Sequence, residues 1–208
     1  MFITFEGGEG CGKSLQTRAL YRRLVRLAVP VVLTHEPGGT RLGERITRWL
    51  KWSKEELSPL TELLLFNTSR SHLVAEVIRP ALRDGKIVIS DRFADSTLAY
   101  QGYGRGLDLA TVKAVNQAAT GGLKPDLTIL LDIEAEAGLA RKGKKPDRFE
   151  KESLDFHRRV REGFLKMAKE EPSRWLVIDA TLSRKAIAEI IWRRVKPLLR
   201  SLSHKPTL

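Results

Sequence analysis

A single cysteine, Cys11, in 208 residues leaves no partner for an internal disulfide and no thiolate set for a metal. The chain has no run of about eighteen apolar residues, which excludes a span by a hydrophobic helix. Internal repeats, low-complexity tracts and long linkers are also missing, so one domain over 1–208 is expected. The first residues pass into an apolar run without a basic, apolar, small-residue leader, and a soluble cytoplasmic protein is the expectation. Acid is the scarcer charge, 25 residues against 37 basic, leaving a formal +12. That excess suits a polyanionic partner: a nucleotide, a nucleic acid or an acidic surface. Its densest part, 141–148, reads as phosphate-facing, and the basic stretch 193–200 as a solvated helix face.

What is present concentrates first at residues 7–14. Gly7-Gly8-Glu9-Gly10-Cys11-Gly12-Lys13-Ser14 follows the apolar run 2–5 and precedes a helical segment. Strand, glycine loop and helix are the context in which G-x-x-x-x-G-K-[ST] cradles phosphate. The glycines let backbone N–H groups turn inward, and the helix adds the positive end of its dipole. Lys13 can then reach the outer phosphates, and the Ser14 hydroxyl can ligate Mg²⁺. The alternative is a plain glycine turn opening a helix. Cys11 sits among converging dipoles that can lower a thiol pKa, but a small residue filling a loop position is the simpler reading.

Strand-like runs at 2–5, 31–33, 87–89, 127–131 and 175–178 alternate with helical stretches. The pattern predicts an α/β fold, a parallel sheet with helices on both faces. Helices are expected at 14–28, 41–51, 58–84, 108–120, 134–143, 150–170 and 183–200. Ser58-Pro59 supplies a cap and a first-turn proline for the third, and Pro197 argues for a kink or early stop in the last.

Ligands of open α/β sheets lie beyond the carboxyl ends of the strands. There stand the glycine loop, then His35-Glu36-Pro37-Gly38-Gly39-Thr40, then Ser90-Asp91-Arg92-Phe93, then Asp132. Asp91 is placed to hold Mg²⁺ through water opposite Ser14, the alternative being a capping or salt-bridged aspartate. Arg92 next to it can bridge two phosphate groups. Glu62, Phe66 and Arg70 share a helix face at i, i+4 spacing, setting an aromatic plane one turn from a hydrogen-bond donor. That pairing suits a nucleobase, although a core-edge aromatic and a surface arginine give the same pattern. Tyr100-Gln101-Gly102-Tyr103-Gly104-Arg105-Gly106 adds another aromatic and by itself says only turn.

The combination resembles the thymidylate kinase family, P-loop kinases that phosphorylate dTMP. The likeness is carried by Phe5-Glu6-Gly7 through Ser14, Glu36-Pro37-Gly38-Gly39-Thr40, Phe66 with Arg70, Asp91-Arg92-Phe93 with Ser96, and Tyr100-Gln101-Gly102. Pro125-Asp126-Leu127, Asp147-Arg148-Phe149-Glu150 and Ile178-Asp179-Ala180 complete it, from residue 1 to about 200. The resemblance implies a P-loop NTPase-type five-stranded parallel sheet, a short lid at about 141–150, and a homodimer. It implies ATP on the loop from Gly7 to Ser14 and Glu9 near the acceptor sugar and its 3′-hydroxyl. Phe66 stacks on thymine, Arg70 hydrogen-bonds it, Pro37, Ser96 and Gln101 line the same pocket, and Tyr100 crowds the sugar 2′ position. Arg92 matches the arginine that bridges donor and acceptor phosphates. Family members place a further basic residue either in the loop or in the lid. Here Gly8 to Cys11 hold none, while Arg141, Lys142, Lys144, Lys145 and Arg148 lie in the lid. The implied lid cation on the transferring group is Arg148 or Arg141, and a flexible surface loop is the bland account of the same segment. Leu15 replaces a frequent threonine and leaves Ser14 in place.

Three competing readings remain at this level. A kinase for another nucleotide shares everything but the base pocket. A nucleic-acid-dependent ATPase fits the charge, but no separate basic arm or recognisable nucleic-acid motif is present, so no stable nucleic-acid partner is expected. A signalling GTPase needs an Asn-Lys-x-Asp guanine reader, and Lys124-Pro125-Asp126 is not one.

Overall fold

The computed structural model describes residues 1–141, 143 and 146–202, and side chains as far as 199. Lys142, Lys144 and Lys145 of the expected lid lie outside the described residues. Five strands, β1 (Phe2–Glu6), β2 (Val31–His35), β3 (Ile87–Asp91), β4 (Leu127–Asp132) and β5 (Trp175–Asp179), form one parallel sheet in the order β2-β3-β1-β4-β5. β1 is central and every residue in it is buried. The period of two sends Ile3 and Phe5 to one face and Phe2 to the other. In the same strand Thr4 pairs hydroxyl to hydroxyl with Thr128 at 3.0 Å, so its polar atom is satisfied inside the sheet.

The helices are α1 (Lys13–Arg26), α2 (Arg41–Trp52), α3 (Pro59–Leu73), α4 (Arg79–Arg83), α5 (Ala94–Thr97), α6 (Leu109–Thr120), α7 (Ala135–Ala140), α8 (Leu154–Glu170) and α9 (Arg184–Leu202). Leu20 and Leu24 of α1 and Ile187, Ile191 and Val195 of α9 cover the Ile3–Phe5 face. Leu73 on α3, together with Phe93, covers Phe2, while Phe156, Val160 and Phe164 of α8 pack around Leu130 and Tyr100. Side-chain caps start five of them: Thr40 accepts from Gly43 N–H at 3.0 Å, Ser58 from Thr61 at 3.1 Å, Asp108 from Thr111 at 2.8 Å, Ser153 from Phe156 at 3.2 Å and Ser183 from Ala186 at 3.2 Å. Among the described residues no helix is long and apolar enough to cross a membrane.

The helical patterns at 134–143 and 150–170 contract to α7 and α8, the latter beginning only after its Ser153 cap. The expected 58–84 helix is continuous but carries a π-helical turn, Val74–Ile78, that ends two residues before Pro80. Proline has no N–H to return to Glu76, and the wider turn lets Arg79 N–H bond Val74 instead. Pro197 does not stop α9, which runs on to Leu202. The carbonyl it leaves without a donor belongs to exposed Arg193, where water can serve. The glycine-rich stretch read as a turn is a second π-helical segment, Leu98–Gly104, continuing α5 with Tyr100 and Gln101 buried in it. Packing against α8 overrides the low helix propensity of its glycines.

Candidate functional site

A cavity of about 690 Å³ opens at the carboxyl ends of β1, β2 and β3, and the loops there make its wall. Its floor is the glycine loop. Gly7, Gly10 and Gly12 take φ of 139°, 65° and 91°, values that favour glycine, and Gly12 opens α1 without a side-chain cap. Lys13 is buried, and its ammonium donates to the carbonyls of Gly7 at 2.9 Å and Gly8 at 2.6 Å, with Cys11 Sγ at 3.3 Å. Turning two carbonyls to the lysine leaves the loop's amides for an anion. Ser14 Oγ donates to Asp91 Oδ2, so the hydroxyl at the head of α1 and the carboxylate ending β3 form one oxygen cluster.

Arg92 spans the cavity. Its φ of 72° is left-handed, held by its own N–H on Phe5 O at 2.9 Å and by Ser90 Oγ on its carbonyl at 2.7 Å. The guanidinium donates to Gly7 O at 3.1 Å, Ser96 Oγ at 3.1 Å, Glu9 Oε1 at 2.8 Å and Tyr100 OH at 3.1 Å. Tyr100 OH donates in turn to Glu9 Oε1 at 2.7 Å. Burial works against the Arg92 charge, yet Tyr100, Glu9, Glu6 and Asp91 around it hold its pKa above the usual arginine value. Burial likewise pushes the Tyr100 phenol well up, so it stays a donor.

Beneath them lies Glu6, fully buried at the end of β1, accepting from Phe93 N–H at 2.8 Å and Ser96 Oγ at 2.5 Å. Burial and the nearby Asp95 raise its pKa to about 8, which favours the protonated acid. Asp95 is answered by Arg174, whose Nη1 donates to Oδ2 at 2.6 Å. The sequence reading quoted Glu6 without a role and missed the Asp95–Arg174 pair. A glutamate at the end of a fully buried central strand whose other polar residue is one threonine was the available signal for Glu6.

At the other end, Phe66 and Phe149 face one another with centroids 5.6 Å apart, and Pro37 and Gln101 complete that wall. Arg70 reaches the wall but is 1% exposed, and its five N–H groups are all engaged. Nε and Nη2 bind Glu36 Oε2 at 2.9 and 2.6 Å, Nη1 binds Asn67 and Asn116 at 3.1 and 2.8 Å, and Nη2 also binds Phe93 O at 3.2 Å. Burial raises the Glu36 pKa against the pull of Arg70. Asp147, Phe149 and Glu150 wall the cavity from the lid side, Asp147 pairing with Lys51 of α2 at 3.3 Å.

Two cationic candidates and one acidic one are placed outside the cavity lining. Arg148 donates to Glu62 Oε2 at 2.5 Å, and Arg141 donates to Ala180 O at 3.1 Å. Asp132 is bound in both oxygens by Arg161 of α8, at 2.8 and 3.0 Å.

A family model described as thymidylate kinase matches residues 5–191. A thymidylate kinase of Dehalococcoides mccartyi (strain ATCC BAA-2266 / KCTC 15142 / 195) is 62% identical over 202 residues, 96% of this chain and 98% of that one. A thymidylate kinase of Roseiflexus castenholzii is 48% identical over 218 residues, 97% of this chain and 95% of that one. The crystal structure of thymidylate kinase from Ehrlichia chaffeensis superposes with a TM-score of 0.80 at 34% identity, covering 94% of this chain and 98% of that one.

Proposed function

The chain belongs to the thymidylate kinase family and phosphorylates dTMP to dTDP with ATP, and we propose that the cavity holds the two substrates end to end across Arg92. The observation that carries this reading is the reach of one guanidinium, which touches Gly7 and Glu9 of the loop and Ser96 and Tyr100 of the opposite wall. Phosphoryl transfer asks mainly for alignment and charge neutralisation, and a bridging arginine contributes both.

In this reading the triphosphate of ATP lies along the amides from Gly7 to Ser14, and Lys13 exchanges the carbonyls of Gly7 and Gly8 for phosphate oxygens. The dTMP phosphate meets Arg92, the sugar lies by Glu9 and Tyr100, and the base enters between Phe66, Pro37 and Gln101. Arg70 keeps its contacts to Glu36 and braces the base wall. Already anionic, the acceptor phosphate needs no strong general base. The hydroxyl of Ser14 and the carboxylate of Asp91 are hard oxygen donors side by side, which fits Mg²⁺ held directly by Ser14 and through water by Asp91. Among the described residues no group of three or more His, Cys, Asp or Glu side chains makes a metal cage, so these residues suit an ion that arrives with the nucleotide. When bound, the ion neutralises donor phosphate charge. Residues 141–150 act as the lid that excludes water, with Arg148 or Arg141 turning inward on closure. A single domain, a cytoplasmic location and a homodimer belong to the same reading. Leu60 and Leu64, one turn apart on α3 and half exposed, give the homodimer an apolar surface.

The test is ADP release with ATP and Mg²⁺ against dTMP, dUMP, dCMP, dGMP, AMP, thymidine and short DNA. Turnover with dTMP that yields dTDP is expected. Preference for another monophosphate overturns the base pocket, and stimulation by DNA alone overturns the kinase reading.

A further inference from the structure

Glu62 sits on α3, 1% exposed, and collects donors from three directions. Oε1 accepts from Gln101 Nε2 at 2.7 Å and Arg105 Nε at 3.2 Å, and Oε2 accepts from Arg105 Nη2 at 3.1 Å and Arg148 Nη2 at 2.5 Å. We propose that Glu62 is a specificity-determining positioning residue: it fixes the Gln101 amide so that its carbonyl oxygen faces the base. The site then takes pyrimidines that present a ring N–H, as thymine and uracil do, and turns away cytosine, which presents a ring lone pair.

An amide can offer either its oxygen or its nitrogen, and which one it offers decides what it can read. A carboxylate only accepts, so Gln101 must turn its nitrogen to Glu62. The flipped amide would set oxygen against oxygen in a place without water to soften the repulsion. Arg105 binds both oxygens of Glu62 and holds it in the orientation that imposes this choice, and Arg148 adds to that hold until the lid closes. The planar amide leaves Oε1 pointing away from Glu62, in a residue that lines the cavity. Among the described residues no donor meets that oxygen. Arg70, the other polar group expected on the base, has every N–H engaged within the protein. Gln101 Oε1 is thus an acceptor open on the base wall, and Glu62, which does not itself line the cavity, sets its direction.

The inference rests on the reading that Gln101 belongs to the base wall. Its test is kcat/KM for dTMP and for dCMP in the wild type, Glu62→Gln, Gln101→Met and the double variant. Glu62→Gln lets the Gln101 amide turn, so the dTMP to dCMP ratio is expected to fall by about tenfold or more, the scale of one mispaired buried hydrogen bond. Gln101→Met removes the polarity and is expected to lower the ratio as well. Adding Glu62→Gln to Gln101→Met is then expected to leave the ratio where it was. The ratio is internal to each enzyme, so loss of the Arg105 and Arg148 pairs and a lower melting temperature do not disturb it. An unchanged ratio in Glu62→Gln with a lowered one in Gln101→Met overturns the role of Glu62 alone, as does a further fall in the double variant. An unchanged ratio and KM for dTMP in Gln101→Met overturns the base wall, and the inference with it.

Discussion

Glu6 and Arg92 divide the electrostatics of the site between a neutral acid and a fixed cation. Burial disfavours the charge of Glu6 and raises its pKa from the ordinary 4.5 to about 8 in the fold. Between those values the native state binds a proton that the unfolded chain has released, so stability falls as pH rises through the window and levels off above about 8. Glu6→Gln keeps an acceptor for Phe93 N–H and cannot titrate. Thermal melts from about pH 5 to pH 8 are expected to slope downward in the wild type and to flatten in Glu6→Gln; parallel slopes would mean that Glu6 is ionised in the fold. Arg92 is the opposite case, since the Glu9 carboxylate binds it directly and the other acidic groups around it keep its charge in place despite burial. Arg92→Ala is expected to lower kcat by about a thousandfold, the scale of a charge-neutralising arginine at a transferring phosphoryl group, while the protein still melts cooperatively. A coupled kinase assay read beside the melt checks this, and near-normal kcat with a normal melt would remove Arg92 from the chemistry. The loop lysine and serine, Asp91 and Arg92 were legible in the sequence because each ends or directly follows a buried strand or opens a helix. Glu36 as the partner of Arg70 was not, since 34 residues separate them and only the sheet brings them together.

Elements with local signals, such as the Ser58-Pro59 start and the five apolar runs, were readable because caps and periodicity act within a few residues. The π-helical segment Leu98–Gly104 was not readable, because its glycines are turn formers until α8 is packed on them. A Cβ on Gly104 would stand 2.6 Å from Phe156 Cε2, and one on Gly163 of α8 would stand 2.5 Å from Tyr103 Cδ2. The two glycines interlock segments some sixty residues apart, which leaves no mark on either sequence window. A second interlock joins α7 to the glycine loop, where a Cβ on Gly138 would lie 2.3 Å from Glu9 O and one on Gly10 would lie 1.9 Å from Gly138 O. Gly138→Ala must therefore push the loop and helix apart. The expected outcome is a rise in KM for ATP with lowered kcat, and about 1–3 kcal/mol of lost stability in denaturant melts, the usual cost of overpacking. Unchanged ATP kinetics would mean that the loop absorbs the displacement without losing its shape.

Across the whole molecule, the sheet order β2-β3-β1-β4-β5 puts the phosphate loop at the central strand and brings Glu36 and Asp91 in on one side of it. Runs of apolar residues announce strands but not their neighbours, so a parallel sheet was predictable and its order was not. The net charge also takes on meaning only with the fold in view. Among the described residues the cavity lining carries Lys13, Arg18, Lys51, Arg70 and Arg92 against Glu9, Glu36, Asp91, Asp147 and Glu150. Basic and acidic side chains are thus equal in number there, and the formal +12 lies on other surfaces. Substrate phosphates are then held by directed contacts in a partly enclosed space rather than by a broad positive field, and such contacts are screened less than exposed ones. The KM values for ATP and dTMP are accordingly expected to change by no more than about threefold between about 50 and 200 mM salt, whereas a nucleic-acid binder that neutralises many phosphates loses about 10³ or more in affinity over the same interval. Steady-state kinetics in a potassium chloride series decide the matter. A steep rise in both KM values would place the excess charge at the cavity mouth and return weight to a polyanion partner larger than a nucleotide.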